Sequence, residues 1–116
     1  MNSIVIYHNP RCSKSRQTLE LLEKLGIKPE IIHYLENPPD QKMLKKILAM
    51  LDMRARNLLR ESEEEYTTLG LSNPDLDEDD LINAMISHPR LIQRPIVVNG
   101  NKAAIGRPPE QVKDIL

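Results

Sequence analysis

Two short apolar runs with a helical stripe between them narrow the possible folds of this chain more than anything else in it. Ile4-Val5-Ile6-Tyr7 and Glu30-Ile31-Ile32-His33-Tyr34-Leu35 read as strands rich in β-branched residues. Between them Thr18, Leu19, Leu22 and Leu25 recur at three- and four-residue steps, with Glu20, Glu23 and Lys24 off that stripe. Gly26 is placed to end the helix in a left-handed conformation. A strand, a helix and a strand within about 35 residues predict a βαβ unit with parallel strands. The first strand reads as a buried central one.

The turn into that helix, Tyr7-His8-Asn9-Pro10-Arg11-Cys12-Ser13-Lys14-Ser15-Arg16, holds the only cysteine of the chain. The first amides of a helix have no internal partner, and the summed peptide dipole adds about half a positive charge there. Both favour a thiolate, the nucleophilic form, and Arg11, Lys14 and Arg16 push the same way. A lone cysteine is more commonly a small buried apolar residue. Here Pro10 marks a loop and the polar neighbours Arg11, Ser13 and Lys14 argue against burial, so Cys12 reads as a reactive thiol.

With 116 residues and no break in composition, one domain spanning 1–116 is expected. The formal net charge is -1 although 28% of residues are charged, which lacks the basic excess of a nucleic-acid binder. One cysteine excludes an internal disulfide. Met1-Asn2-Ser3-Ile4 lacks a basic region followed by a long apolar one, and no run approaches the ~20 apolar residues that span a bilayer. A cytoplasmic protein, bound neither to membrane nor to nucleic acid, is the expectation.

Further along, Asn37-Pro38-Pro39-Asp40 is a turn with Asp40 placed as an N-cap. Met43, Leu44, Ile47, Leu48 and Leu51 form a helical stripe. One or two short helices follow between Arg54 and Leu69, anchored by Leu58 and Leu59 and ended by Gly70. After Ser72-Asn73-Pro74, Asp77 or a neighbouring aspartate caps a helix carrying Leu81, Ile82, Met85 and Ile86, which Pro89 closes. The acidic run from Asp77 to Asp80 suits a helix N-terminus and lacks the residue pattern of a metal site. Ile96-Val97-Val98 and Lys102-Ala103-Ala104-Ile105, joined around Asn99-Gly100, read as an antiparallel hairpin. A last helix from about Pro109 to Leu116 carries Val112, Ile115 and Leu116 as its core face.

Assembled, the order is βαβ, a helical insertion at about 40–88, then ββα. This is the α/β arrangement of thioredoxin-like folds, with a mixed four-stranded sheet. In such folds the proline before the hairpin strand, here Pro95, is usually cis and faces the active-site cysteine. Arg94 would then sit beside Cys12, Arg107 could reach the same end of the sheet, and Arg60 lies in the inserted helices. Guanidinium groups hold tetrahedral oxyanions through paired, charge-assisted hydrogen bonds. Each arginine alone could be a solvated surface charge, Arg60 most of all between Glu61 and Glu63.

His8-Asn9-Pro10-Arg11-Cys12, Tyr34-Leu35-Glu36-Asn37-Pro38-Pro39, Leu58-Leu59-Arg60, Arg94-Pro95-Ile96-Val97-Val98 and Gly106-Arg107-Pro108 resemble the glutaredoxin-dependent arsenate reductase family. The motifs run in the same order along nearly the whole chain. The resemblance implies reduction of arsenate to arsenite, with Cys12 attacking arsenic and Arg60, Arg94 and Arg107 binding the oxyanion. It implies that His8 helps to depress the cysteine pKa and that Ser15 donates to the thiolate. It implies no tightly bound cofactor, glutathione as reductant and glutaredoxin as partner. A single cysteine fits, because a two-electron reduction then needs an outside thiol. The phosphatase-like arsenate reductases need an arginine six residues after the cysteine, where this chain has Thr18. Well-characterised members commonly have glycine and threonine after the cysteine; this chain has Ser13-Lys14. They also continue beyond the position of Leu116, so the chain resembles the family's shorter branch. Two other readings share the fold. One is a redox-linked regulator binding RNA polymerase, which usually carries Cys-x-x-Cys where this chain has Cys12 and Ser15. The other is a general glutathione-dependent thiol oxidoreductase, which would not need Arg60 and Arg107.

Overall fold

The computed structural model describes residues 3–116, so the reading of the N-terminus that rests on Met1 and Asn2 lies outside the described residues. The chain divides into two compact units, Met1–Asn37 with Arg94–Leu116, and Pro38–Gln93.

The first unit is built on a four-stranded sheet of order β2-β1-β3-β4. Its strands are β1 (Ile4–His8), β2 (Glu30–His33), β3 (Ile96–Asn99) and β4 (Lys102–Ile105). β1 runs parallel to β2, with Ile6 opposite Ile31, and antiparallel to β3, with Ile6 opposite Val97. The sheet is therefore mixed, as the order of runs predicts, and β1 is central. β3 and β4 form the hairpin, with Gly100 at φ 64 in the first position of its two-residue loop, where a type II′ turn takes glycine. Ile6, Leu22, Val97 and Val112 make a fully buried cluster, so β1, β3, the first helix and the C-terminal segment share one core.

That first helix, α1 (Ser13–Lys24), ends in a Schellman motif. The Ile27 amide donates to the Leu22 carbonyl, the Gly26 amide to that of Glu23, and Gly26 takes φ 79. Its buried face is Ser15, Thr18 and Leu22, whereas Leu25, expected on the stripe, is 49% exposed because the helix has already ended. β2 stops at His33, two residues before its expected end. The amides of Glu36 and Asn37 both donate to the His33 carbonyl, and this turn leaves Leu35 exposed while burying Tyr34. The last segment, Pro109–Ile115, is a 3₁₀ helix. At three residues per turn, Pro109, Val112 and Ile115 align on one side, which carries Leu116 off the core face expected for it. The Asn99 side-chain amide holds its end by donating to the Ile115 carbonyl at 2.6 Å.

The second unit is helical: α2 (Gln41–Leu51), α3 (Ala55–Leu58), α4 (Glu64–Thr68) and α5 (Glu78–Ser87), then a 3₁₀ turn at Pro89–Leu91. Asp40 caps α2 by accepting from the Met43 amide at 2.7 Å. Asp77 caps α5 in a reciprocal box with Asp80, which explains half of the acidic run without a ligand. Leu44, Ile47, Leu58, Leu81, Ile82, Met85 and Leu91 are its core; Met43, expected among them, points outward. Among the described residues no helix is long and apolar enough to cross a membrane.

Candidate active site

Strand register decides what meets at the site. Tyr7 pairs with Ile96, and Ile96 with Ile105. The loop after β1, the residues before β3 and the residues after β4 therefore converge at one edge of the sheet. Cys12, Arg94 and Arg107 are brought together there from distant parts of the chain.

The loop is braced before it reaches the cysteine. Asn9 Oδ1 accepts from the Arg11 amide at 3.0 Å, and the Cys12 amide donates to the Asn9 carbonyl at 3.0 Å. Arg16 spends its guanidinium on the Pro10 carbonyl at 2.8 Å. Cys12 is the N-cap of α1, with φ -93 and ψ 122. At that position serine or aspartate would ordinarily accept from the second and third helical amides. Here the sulfur sits at that place without making a capping hydrogen bond of good geometry, and those amides, of Lys14 and Ser15, lower its pKa.

The reactive-thiol reading expected an exposed cysteine, but Cys12 is only 9% exposed. Its surroundings are polar all the same. Arg107 Nη2 donates to Cys12 Sγ at 3.7 Å, and Arg107 Nε to the Arg94 carbonyl at 2.8 Å. Burial pushes the thiol pKa up; the Ser15 amide, then the Arg94 guanidinium, then the Lys14 amide outweigh it and hold the pKa below the ordinary value. Arg11, Lys14 and Arg16 were expected to contribute through charge; of the three only Lys14 figures among the causes, and through its amide. The Arg94–Pro95 bond is cis, as expected from the fold class, and so is Arg107–Pro108. We expect the alkylation rate of Cys12 to titrate with a midpoint below the ordinary thiol value of about 8.5, and Arg94→Ala to raise it. A native midpoint at or above that value would refute the argument.

His8 and Ser15 occupy a layer behind the sulfur. His8 Nδ1 lies 2.6 Å from Ser15 Oγ, which also accepts from the Asn9 amide at 3.0 Å. Burial lowers the His8 pKa, with His33 and then Arg16 adding to the effect. A neutral imidazole lends no charge to the thiolate, so what reaches the sulfur from this layer is the Ser15 backbone amide. Arg60 belongs to the second unit. There its amide donates to the Leu91 carbonyl at 2.7 Å, and its Nε to Glu63 Oε1 at 3.3 Å.

Tyr34, Asn9 and Gly106 stand in the sequence motifs without a role of their own. Tyr34 was read as a strand residue, yet it is 1% exposed and lies beside Arg94, Asn9 and Cys12. Gly106 is buried against Thr18 and Pro95, where any Cβ would collide. Among the described residues no group of His, Cys, Asp or Glu side chains could hold a metal ion.

A sheet of this order, with a thiol at the N-terminus of the first helix beside a cis-proline turn, places the chain among thioredoxin-like proteins. Within that class it belongs to the ArsC family, whose sequence pattern matches residues 7–115. The chain is 49% identical to an arsenate reductase of Neisseria meningitidis (strain MC58), across all of both chains. It is 52% identical to the uncharacterized protein YfgD of Escherichia coli K12, covering 97% of this chain and 96% of the other. The solved structure of an arsenate reductase from Vibrio cholerae is similar with a TM-score of 0.96 at 51% identity, covering 99% of this chain and 98% of that one.

Proposed function

We propose that this protein reduces arsenate to arsenite through the Cys12 thiolate, with glutathione and glutaredoxin supplying the other sulfur. The observation that carries this reading is a sulfur at a helix N-terminus, its pKa lowered by the helix amides, with the guanidinium of Arg107 3.7 Å away and that of Arg94 beside it. The names of the relatives, at about half identity over the full chain, point to the same substrate.

The chemistry follows from the donors. Arg94 and Arg107 carry permanent positive charge and donate in pairs, which suits a tetrahedral oxyanion. They hold arsenate against Cys12, whose sulfur forms a bond to arsenic as an oxygen leaves as water. A glutathione thiolate then attacks this adduct; two sulfurs give up two electrons, arsenic goes from the +5 to the +3 state, and arsenite departs. One arsenate and two thiols become one arsenite, one mixed disulfide on Cys12 and one water. Glutaredoxin reduces that disulfide. His8 and Ser15 act in this scheme as the brace that aims the Ser15 amide at the sulfur. The role of Arg60 in oxyanion binding rests on the family resemblance alone. A compartment that keeps thiols reduced, such as the cytoplasm, suits a mechanism dependent on a free thiolate.

The test is arsenite formation from arsenate with glutathione and glutaredoxin present. We expect turnover by the native protein and, for Arg94→Ala, at least a tenfold rise in the arsenate KM, roughly the loss of one charge-assisted contact. Native protein that leaves arsenate untouched with both thiol partners supplied would end this reading.

A further inference from the structure

Tyr34 is 1% exposed, and its hydroxyl makes no hydrogen bond of good geometry. A buried hydroxyl without a partner is costly, and such groups in a native fold call for a reason. Its neighbours supply one. The Arg94 guanidinium and the Asn9 side chain lie beside it, with Cys12 close by. Arginine can only donate. Asn9 commits its Oδ1 to the Arg11 amide at 3.0 Å, so the end of Asn9 left for Tyr34 is the NH₂. Both neighbours therefore offer protons to the tyrosine oxygen, and neither can take the phenolic proton. Burial raises the Tyr34 pKa, only partly opposed by Arg94, so the group keeps that proton at neutral pH. Tyr34 follows β2 directly, in the turn that closes on the His33 carbonyl at 2.9 and 3.0 Å.

We propose that the Tyr34 hydroxyl donates to an oxygen of the anion bound over Cys12, as the neutral member of a donor set whose charged members are Arg94 and Arg107. This rests on the oxyanion reading of the site. A neutral donor discriminates by geometry, since it rewards an oxygen at one place in the pocket, whereas the two guanidinium groups attract any anion. It makes Tyr34 a residue that selects a tetrahedral oxyanion over a planar or monoatomic one.

The test is protection of Cys12 from iodoacetamide by arsenate with no reductant present, in native protein and Tyr34→Phe, together with the anion-free pH profile and thermal unfolding. Half-protection of Tyr34→Phe should need about tenfold more arsenate, as for one lost hydrogen bond to a charged group. Chloride, the monoatomic control, should protect both proteins equally and weakly. The anion-free thiol midpoint should not move, and the melting temperature should hold or rise, because no existing hydrogen bond is lost. Equal arsenate protection in both proteins would overturn the proposal. So would a raised anion-free midpoint, which would put the phenolic proton on sulfur, or a lowered melting temperature, which would reveal a partner within the protein. If arsenate fails to protect even the native thiol, the oxyanion reading falls and takes this proposal with it.

Discussion

Replacing Cys12 with serine is expected to abolish arsenite formation, a loss of at least about 10⁴-fold, without unfolding the protein. The reason lies in electron count more than in nucleophilicity. A serine oxygen could form an ester with arsenate, but an As–O bond surrenders no electrons when a second thiol attacks, and the ester simply hydrolyses back. Sulfur is oxidised as arsenic is reduced; oxygen is not. Serine is a good N-cap and would accept from the Lys14 and Ser15 amides, where the sulfur makes no capping hydrogen bond of good geometry. Stability should thus stay within about 1 kcal/mol of native. Arsenate should still bind, because Arg94 and Arg107 remain. Residual reduction by Cys12→Ser, measured as arsenite in single-turnover conditions, would mean that the enzyme only gathers arsenate and glutathione and lets them react directly.

What could be read from the residues, and what could not, divides along one physical line. The β-branched runs, the helical stripe and Asn99-Gly100 are local patterns, and they yield the strands, α1 and the hairpin with nearly correct bounds. Cys12 at a helix N-terminus is local as well, and so is Asp40 as a cap. Tyr34 was lost because what gives it a role is its neighbours Arg94, Asn9 and Cys12, which lie far from it in the chain. The burial of Cys12 was misread for a related reason. Its polar sequence neighbours suggested exposure, but it is covered by Arg107, which is 95 residues away in the chain. His8 was expected to help depress the cysteine pKa; burial lowers its own pKa, so any help reaches the sulfur through its 2.6 Å contact with Ser15 and not through charge. Leu25 and Leu116 were placed on core faces by extending a 3.6-residue period past the point where the helix ends or tightens. Local periodicity is legible. The consequences of closing a turn, or of bringing two strands side by side, are not.

Gly106 shows how much of the site depends on one such closure, and Gly106→Ala is the other substitution with a large expected effect. The residue follows β4, and its amide donates to the Pro95 carbonyl at 2.9 Å, which sets the spacing between the turns that carry Arg94 and Arg107. A Cβ there would meet Thr18 Oγ1 closer than nonbonded atoms can approach, and the Pro95 Cγ at 2.8 Å. Neither neighbour can easily give. Thr18 is fully buried, and its hydroxyl is committed to the Lys14 carbonyl at 2.8 Å, in the same first turn whose amides lower the thiol pKa. Pro95 has a rigid ring and is bonded directly to Arg94. The strain must therefore move the backbone on one side or the other, and both sides belong to the site. Overpacking of this kind costs about 2–3 kcal/mol, roughly a 10 °C fall in melting temperature for a chain of this size. A displacement of about 1 Å at the arginines should lower kcat/KM for arsenate by about 100-fold in the protein that stays folded. Gly100→Ala is the control, since Gly100 lies at the far end of the same hairpin with φ 64 and open space around its missing Cβ. It should cost only the backbone strain of an alanine at positive φ, about 1–3 kcal/mol, and leave turnover intact. If Gly106→Ala matched Gly100→Ala in both stability and activity, the contact among α1, Pro95 and Gly106 would not be what holds Arg94 and Arg107 over the thiolate.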